Sequence, residues 1–199
     1  MNQQYETRNN IDEEVLKIYG YGSRVYRCVT DKSDSDYIIV VKSEDENLKY
    51  SVERPNKNFT VYSEQNFIKQ IEKHEISAME CIFQQPEDAY LKYFKLDSEK
   101  LRRAISSVAS NSYVKCKKKI RDGEVYIGKK SLFHSLRILM FGIQIAKHGK
   151  IINYGEANEY HKTIFEMNDD WSELDKKFKP IYNALKSEFK RLAPLESDK

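Results

Sequence analysis

The chain has 199 residues, 40% of them hydrophobic and 33% charged, enough apolar material for one compact domain or a core with a smaller second lobe. A net charge of +3 does not by itself mark a nucleic-acid binder, because binding depends on a clustered positive face. No basic start, apolar run and cleavage site open the chain, and His134, Arg137 and Gln144 interrupt the longest apolar-rich window, Leu132 to Ala146, so neither secretion nor a membrane span is expected.

Residues 1 to about 12 are polar and are expected to fray. Val15 to Tyr19 alternates as a strand, with Leu16 and Ile18 on one face, and Gly20, Gly22 and Ser23 end it in a turn. Asp36 to Val41 is rich in β-branched residues and reads as a central strand. Leu48, Tyr50 and Val52 alternate with Lys49, Ser51 and Glu53 as a half-exposed strand, and Phe59 to Tyr62 forms another. Ser63 can cap a helix carrying Phe67, Ile68 and Ile71; a second holds Met79, Ile82 and Phe83 and closes at Pro86.

From Asp97 the pattern changes. Leu101, Ala104, Ile105 and Val108 follow at helical spacing after an Asp97 cap. Lys130 to Lys147 is a strong helix stopped by Gly149. Ser172 opens a last helical region, broken or kinked near Pro180 and continued through Leu185, Phe189 and Leu192, with a disordered tail after Pro194. The expected class is therefore α+β: a mixed β-sheet with flanking helices over residues 1–95, then a helical half over 96–199. Cys28, Cys81 and Cys116 are isolated and odd in number, which suits free thiols in the cytoplasm.

Two features point to phosphate chemistry. Asp34 and Asp36 are two apart, so on an extended chain both carboxylates project to the same side. Such a pair can share divalent cations, and Mg²⁺ suits it because that ion takes oxygen ligands and keeps waters and substrate phosphates. At Gly22-Ser23, glycine lets backbone N–H groups approach a phosphate and serine adds a hydroxyl donor. Taken singly, each feature also fits an ordinary solvated turn. Their joint order is what raises the pair above that reading.

Gly22-Ser23-Arg24-Val25-Tyr26 followed by Ser33-Asp34-Ser35-Asp36-Tyr37 resembles the pattern of the DNA polymerase β-like nucleotidyltransferase superfamily, in its RlaP-like branch associated with RNA repair. Tyr62 to Phe67, Met79-Glu80-Cys81-Ile82-Phe83 and Lys130 to Arg137 are similar to that branch as well, and the resemblance runs from about residue 15 to about 155. It implies a nucleotidyltransferase-type sheet, catalytic and metal-binding roles for Asp34 and Asp36, and nucleotide contacts from Gly22, Ser23, Arg24 and Ser33. The chain departs from the pattern twice. Arg27 stands where the branch has glycine, which implies a differently shaped turn. A third acid is expected on a neighbouring strand, and that position falls near Asn58; Glu53 is the substitute metal ligand if the fold brings it close.

In the second half Lys130, His134 and Arg137 share one helical stripe, continued by Phe141 and His148, while Leu132, Leu136, Leu139, Met140 and Ile143 form the buried side. The residues alone fit a solvated basic face; the resemblance implies a nucleotide-phosphate role for all three residues. Upstream, Ser110 to Lys119 mixes hydroxyls with positive charge, so Ser112 and Lys115 are candidate phosphate contacts and Tyr113 a candidate base-stacking residue. The lysine run equally suits a helix end.

These features together lead to a metal-dependent nucleotidyltransferase. It would use Mg²⁺ or Mn²⁺ to move a nucleoside monophosphate from an NTP to an acceptor hydroxyl, an RNA end or another acceptor, with pyrophosphate release. The alternative is a catalytically degenerate protein that binds nucleotide or RNA as a regulator.

Overall fold

The computed structural model describes residues 6–29 and 33–196, and the chain divides into two compact units, Met1–Lys95 and Leu96–Lys199. The first unit is a five-stranded mixed sheet with helices. Its strands are β1 (Glu6–Arg8), β2 (Val15–Tyr21), β3 (Ser35–Val41), β4 (Lys49–Arg54) and β5 (Lys57–Ser63), in the spatial order β1-β4-β5-β3-β2. Strand β3 runs parallel to β5 and antiparallel to β2. It is therefore interior to the sheet and covered on both faces, which is why Ile38 to Val41 is an unbroken apolar run. Ile38 and Val40 pack with Tyr19 and Tyr62 against Phe67, Ile71, Ala78 and Ile82 of α2 (Glu64–Glu72) and α3 (Ile76–Ile82). On the opposite face Ile39 and Val41 pack with Tyr50, Val52 and Val61. A short helix, α1 (Ser23–Tyr26), follows β2 directly.

The second unit is helical: α4 (Ser98–Arg121), α5 (Val125–His148), α6 (Asn158–Glu166) and α7 (Trp171–Leu192). Asp97 caps α4 by accepting from the amides of Glu99 and Lys100, both at 3.0 Å. Helices α4 and α5 approach closely at two glycines. A Cβ at Gly128 would stand 3.1 Å from the Cys116 carbonyl oxygen, and one at Gly142 would stand 2.8 Å from Ile105 and 3.0 Å from Phe189. Helix α5 is buried nearly all round from Ser131 to Ile145, as the innermost helix of its unit. Among the described residues no helix is long and apolar enough to cross a membrane.

Several local expectations are corrected. Residues 6–8, expected to fray, form a strand that pairs parallel to β4, with the Arg8 guanidinium 4.2 Å over the Tyr50 ring. Leu16 lies at a register shift of β2, and it and Ile18 are exposed while Tyr19 is buried. The strong helix begins at Val125, ahead of Lys130, and ends at Gly149 with φ 71. Helix α7 is continuous through Pro180, anchored on both sides of it by buried Phe178 and Tyr182. Helix α6, for which the sequence carries no clear signal, buries only Ile164. The tail expected to be disordered after Pro194 lies, from residue 197, outside the described residues.

Candidate functional site

Strand register assembles the acidic site. Pairing sets Tyr21 opposite Asp36, Asp36 opposite Asn58, and Asn58 opposite Glu53, one row of side chains crossing the sheet on the face of Ile38 and Val40. The β4–β5 hairpin turns at Pro55-Asn56, with Asn56 at φ 60, and the Asn56 carbonyl accepts from the Ser35 amide at 2.9 Å. That bond locks the hairpin against the start of β3. Asn58 Nδ2 then lies 3.2 Å from Asp36 Oδ1 and 3.5 Å from Asp34 Oδ2, so one amide donor faces both carboxylates. Such a donor offsets part of the repulsion between like charges. Asp34 is exposed and Asp36 half-buried, so the pair sits at the rim of the sheet rather than in its core.

Gly22 borders the same carboxylate. Its backbone, at φ 76 and ψ −153, is a conformation open in practice to glycine alone. A Cβ there would overlap Asp36 Oδ2 and stand 3.2 Å from Asp36 Cγ. Two independent reasons, backbone angle and space, therefore require glycine. The turn continues into α1, a single turn whose end is closed by Arg27 N–H to Arg24 O (3.3 Å) and Cys28 N–H to Ser23 O (2.9 Å). This is the Schellman pattern, and Arg27 supplies the left-handed residue at φ 60, ψ 36. Arg27 was expected to reshape the turn; it instead takes the backbone conformation that glycine favours. Arg24 is exposed, and Ser23 and Ser33 are partly so.

Glu53, the expected substitute ligand, does not reach the pair. It stands opposite Asn58, two strands from Asp36, because β4 pairs with β5 and not with β3. At roughly 4.8 Å per strand that is about 10 Å. Among the described residues no group of three or more His, Cys, Asp or Glu can hold a metal ion. The donors that do converge are two carboxylates and one carboxamide, an all-oxygen set once the Asn58 amide rotates. That set fits Mg²⁺, which commonly takes one or two protein carboxylates.

The helical unit carries its own polar cluster. Arg137 is 6% exposed, with its guanidinium carbon 5.6 Å from the Phe133 ring and 5.7 Å from that of Phe141. Its Nη2 lies 2.8 Å from His134 Nδ1. Arginine keeps its protons, so it donates and Nδ1 accepts, which leaves the imidazole proton on Nε2. Burial first, then the positive charges of Arg137, Lys115 and Lys130, lower the His134 pKa to about 3. The stripe is thus no uniformly solvated basic face: Lys130 is exposed, His134 half-buried, Arg137 and Phe141 buried. Lys115 of α4 lies within electrostatic reach of His134, and Ser112 sits one turn before it on the same side of α4.

Tyr113, expected to stack on a base, is already engaged. Its hydroxyl donates to Asp175 at 2.8 Å, and its ring lies 4.4 Å from Tyr182 and 5.6 Å from Trp171. Lys119 pairs with Glu124 at 2.5 Å near the end of α4. The buried thiol of Cys116 is pushed up to about 12 by burial, which makes it a packing residue.

The roles of three side chains behind the Gly22 turn, Tyr26, Glu80 and Gln84, escaped the reading of the sequence. Tyr26 of α1 is buried and its hydroxyl donates to the fully buried Glu80 of α3; Gln84 Nε2 donates to the Gly20 carbonyl at 2.9 Å. The available signal was a lone carboxylate in the mostly apolar Ile76 to Ile82.

No protein-family model matches the chain, and no curated protein sequence matches it significantly. Among solved structures, the crystal structure of a nucleotidyltransferase-like protein from Exiguobacterium sibiricum 255-15 is similar to it. The likeness covers 89% of this chain and 69% of that one, at 11% identity and a TM-score of 0.35. A likeness of that size carries no information about the site.

Proposed function

We propose that this chain is a nucleotidyltransferase of the RlaP-like kind, moving a nucleoside monophosphate from an NTP to an acceptor hydroxyl. The observation that carries the reading is the convergence of Asp34, Asp36 and Asn58 beside the glycine-only turn at Gly22. In the reaction the acceptor oxygen bonds to the α-phosphorus, the bond to the β-phosphate oxygen breaks, and pyrophosphate leaves. Asp34 and Asp36, with the Asn58 carboxamide oxygen, would hold Mg²⁺ or Mn²⁺; when bound, the ion supplies Lewis-acid polarisation of phosphoryl oxygens. Asn58 cannot take up the acceptor's proton, so a carboxylate of the pair or water receives it. The Gly22-Ser23 turn, flanked by Arg24 and Ser33, presents backbone and hydroxyl donors to the outer phosphates. In the helical unit Lys115, Lys130 and Arg137 supply cations for phosphate, Ser112 a hydroxyl, and neutral His134 an Nε2–H donor. An RNA end is the acceptor that the sequence resemblance suggests, in the cytoplasm.

A second reading is favoured by one feature. Asn58 stands beside the pair where a third carboxylate would complete a metal site, which suits a protein that binds nucleotide without turning it over. A screen of labelled NTPs against RNA, protein and small acceptors with Mg²⁺ or Mn²⁺ separates the two. Incorporation and pyrophosphate release support the enzyme, and replacing both Asp34 and Asp36 with Asn should lower turnover on the order of a thousandfold. Unchanged turnover in that double variant would sink the assignment; nucleotide binding without pyrophosphate release would establish the regulator.

A further inference from the structure

Resting on the reading above, we propose that Glu80 and Gln84 are positioning residues that hold the Gly22-Ser23 turn in its phosphate-accepting shape, through Tyr26 and Gly20. The turn cannot hold that shape from local forces. Gly22 sits at φ 76, ψ −153, where glycine has wide conformational freedom, and α1 is one turn long, far below the length at which a helix is stable by itself. Both ends of the turn are instead tied to one place. Before it, the Gly20 carbonyl accepts from Gln84 Nε2 at 2.9 Å, and the same amide donates to the Glu80 carbonyl at 3.1 Å. After it, the Tyr26 hydroxyl donates to the Glu80 carboxylate.

Tyr26 is 2% exposed and Glu80 fully buried. Burying a carboxylate costs several kcal/mol unless it is hydrogen-bonded, so an apolar residue would serve mere packing better. What a carboxyl group adds is direction, because its hydrogen bond to a phenol fixes where the ring, and hence α1, must lie. Glu80 also explains the Met79 to Phe83 motif, for which the acidic pair offers no use. The contacts form a short chain: helix α3 is packed in the sheet core through Ala78 and Ile82, and its Glu80 together with Gln84, just past its end, sets both ends of the loop that borders Asp36.

The test compares Tyr26→Phe, Gln84→Ala, Glu80→Ala and Glu80→Gln with Tyr90→Phe as a control, in the full chain. Tyr90→Phe removes a phenol–carboxylate bond to Glu64, 3.0 Å long, away from the turn. Tyr26→Phe and Gln84→Ala should each raise the Mg·NTP dissociation constant and KM about tenfold, with kcat changed less than about threefold. Glu80→Gln keeps an oxygen for the Tyr26 hydroxyl and should bind nearly as the parent does, while Glu80→Ala should not. Tyr90→Phe should lower the melting temperature comparably without changing nucleotide affinity. Parental affinity in both Tyr26→Phe and Gln84→Ala, or an equal loss in Tyr90→Phe, overturns the proposal. If the parent protein binds no NTP, the functional reading fails and hydrogen exchange decides the clamp separately. Amides of residues 22–28 should exchange faster in Tyr26→Phe and Gln84→Ala than in Tyr90→Phe, and equal rates overturn it.

Discussion

The two units place their chemistry in opposite surroundings. In the sheet unit Asp34, Asp36 and Asn58 lie at strand starts, on the rim, where backbone register alone sets their neighbours. In the helical unit His134 and Arg137 lie within the most buried helix, and their neighbours are set by side-chain packing. A rim site keeps its charges hydrated and can accept an ion at modest cost. A buried cluster bears a desolvation cost, and here that cost falls on His134, which stays uncharged and accepts a hydrogen bond from the cationic Arg137. The difference teaches that similar-looking polar motifs tolerate substitution differently: geometry governs the first, desolvation the second.

The strongest way to break this comparison is at Gly22. Gly22→Ala introduces both a forbidden backbone angle and a clash with Asp36, and should cost about 3 kcal/mol, read by urea denaturation, with nucleotide turnover lost alongside. A stable, active Gly22→Ala protein would show that the rim is not built by tight geometry. Next is Arg137→Met, which removes the guanidinium while keeping an apolar stem between Phe133 and Phe141. It should cost about 2 kcal/mol and raise the His134 pKa measurably above 3 in an NMR titration.

The same pair makes a prediction in pH. His134 titrates near 6.5 when unfolded and near 3 when folded, so between those values the unfolded chain takes up a proton that the folded one refuses. Its contribution to stability is complete above about pH 6.5 and is lost as the pH falls toward 3. Unfolding free energies at pH 7, 6, 5 and 4 should therefore fall less steeply in His134→Gln than in the parent. Identical slopes would place His134 in a hydrated setting like that of the aspartates. The smallest effect is expected at Arg27, where glycine relieves a left-handed arginine. Arg27→Gly should raise stability by about 1 kcal/mol or less and leave nucleotide affinity unchanged.

Much of the α+β fold was legible because its signals are local. The β-branched run of β3, the Ser63 and Asp97 caps and the Gly149 stop each act within a few residues of themselves. Where a signal is long-range, reading along the chain failed. Glu6 to Arg8 has no apolar alternation and becomes a strand only because β4 offers it an edge. Pro180 is a breaker locally, yet α7 continues because Phe178, Tyr182 and Phe189 are all held in the core. Helix α6 is too short and polar to announce itself.

The candidate site divides along the same line. Sequence alone determined that Asp34 and Asp36 share a side, since residues two apart on a strand leave no other choice, and that Gly22 opens a turn; the place of Asn58 beside the pair was only what the family resemblance implied. Only the tertiary structure decided that Glu53 is one strand too far, because strand order is not written in any local window. It also decided that Arg137 is buried and that Glu80 reaches Tyr26, because burial and contacts across more than fifty positions of chain are settled by which surfaces the whole unit brings together.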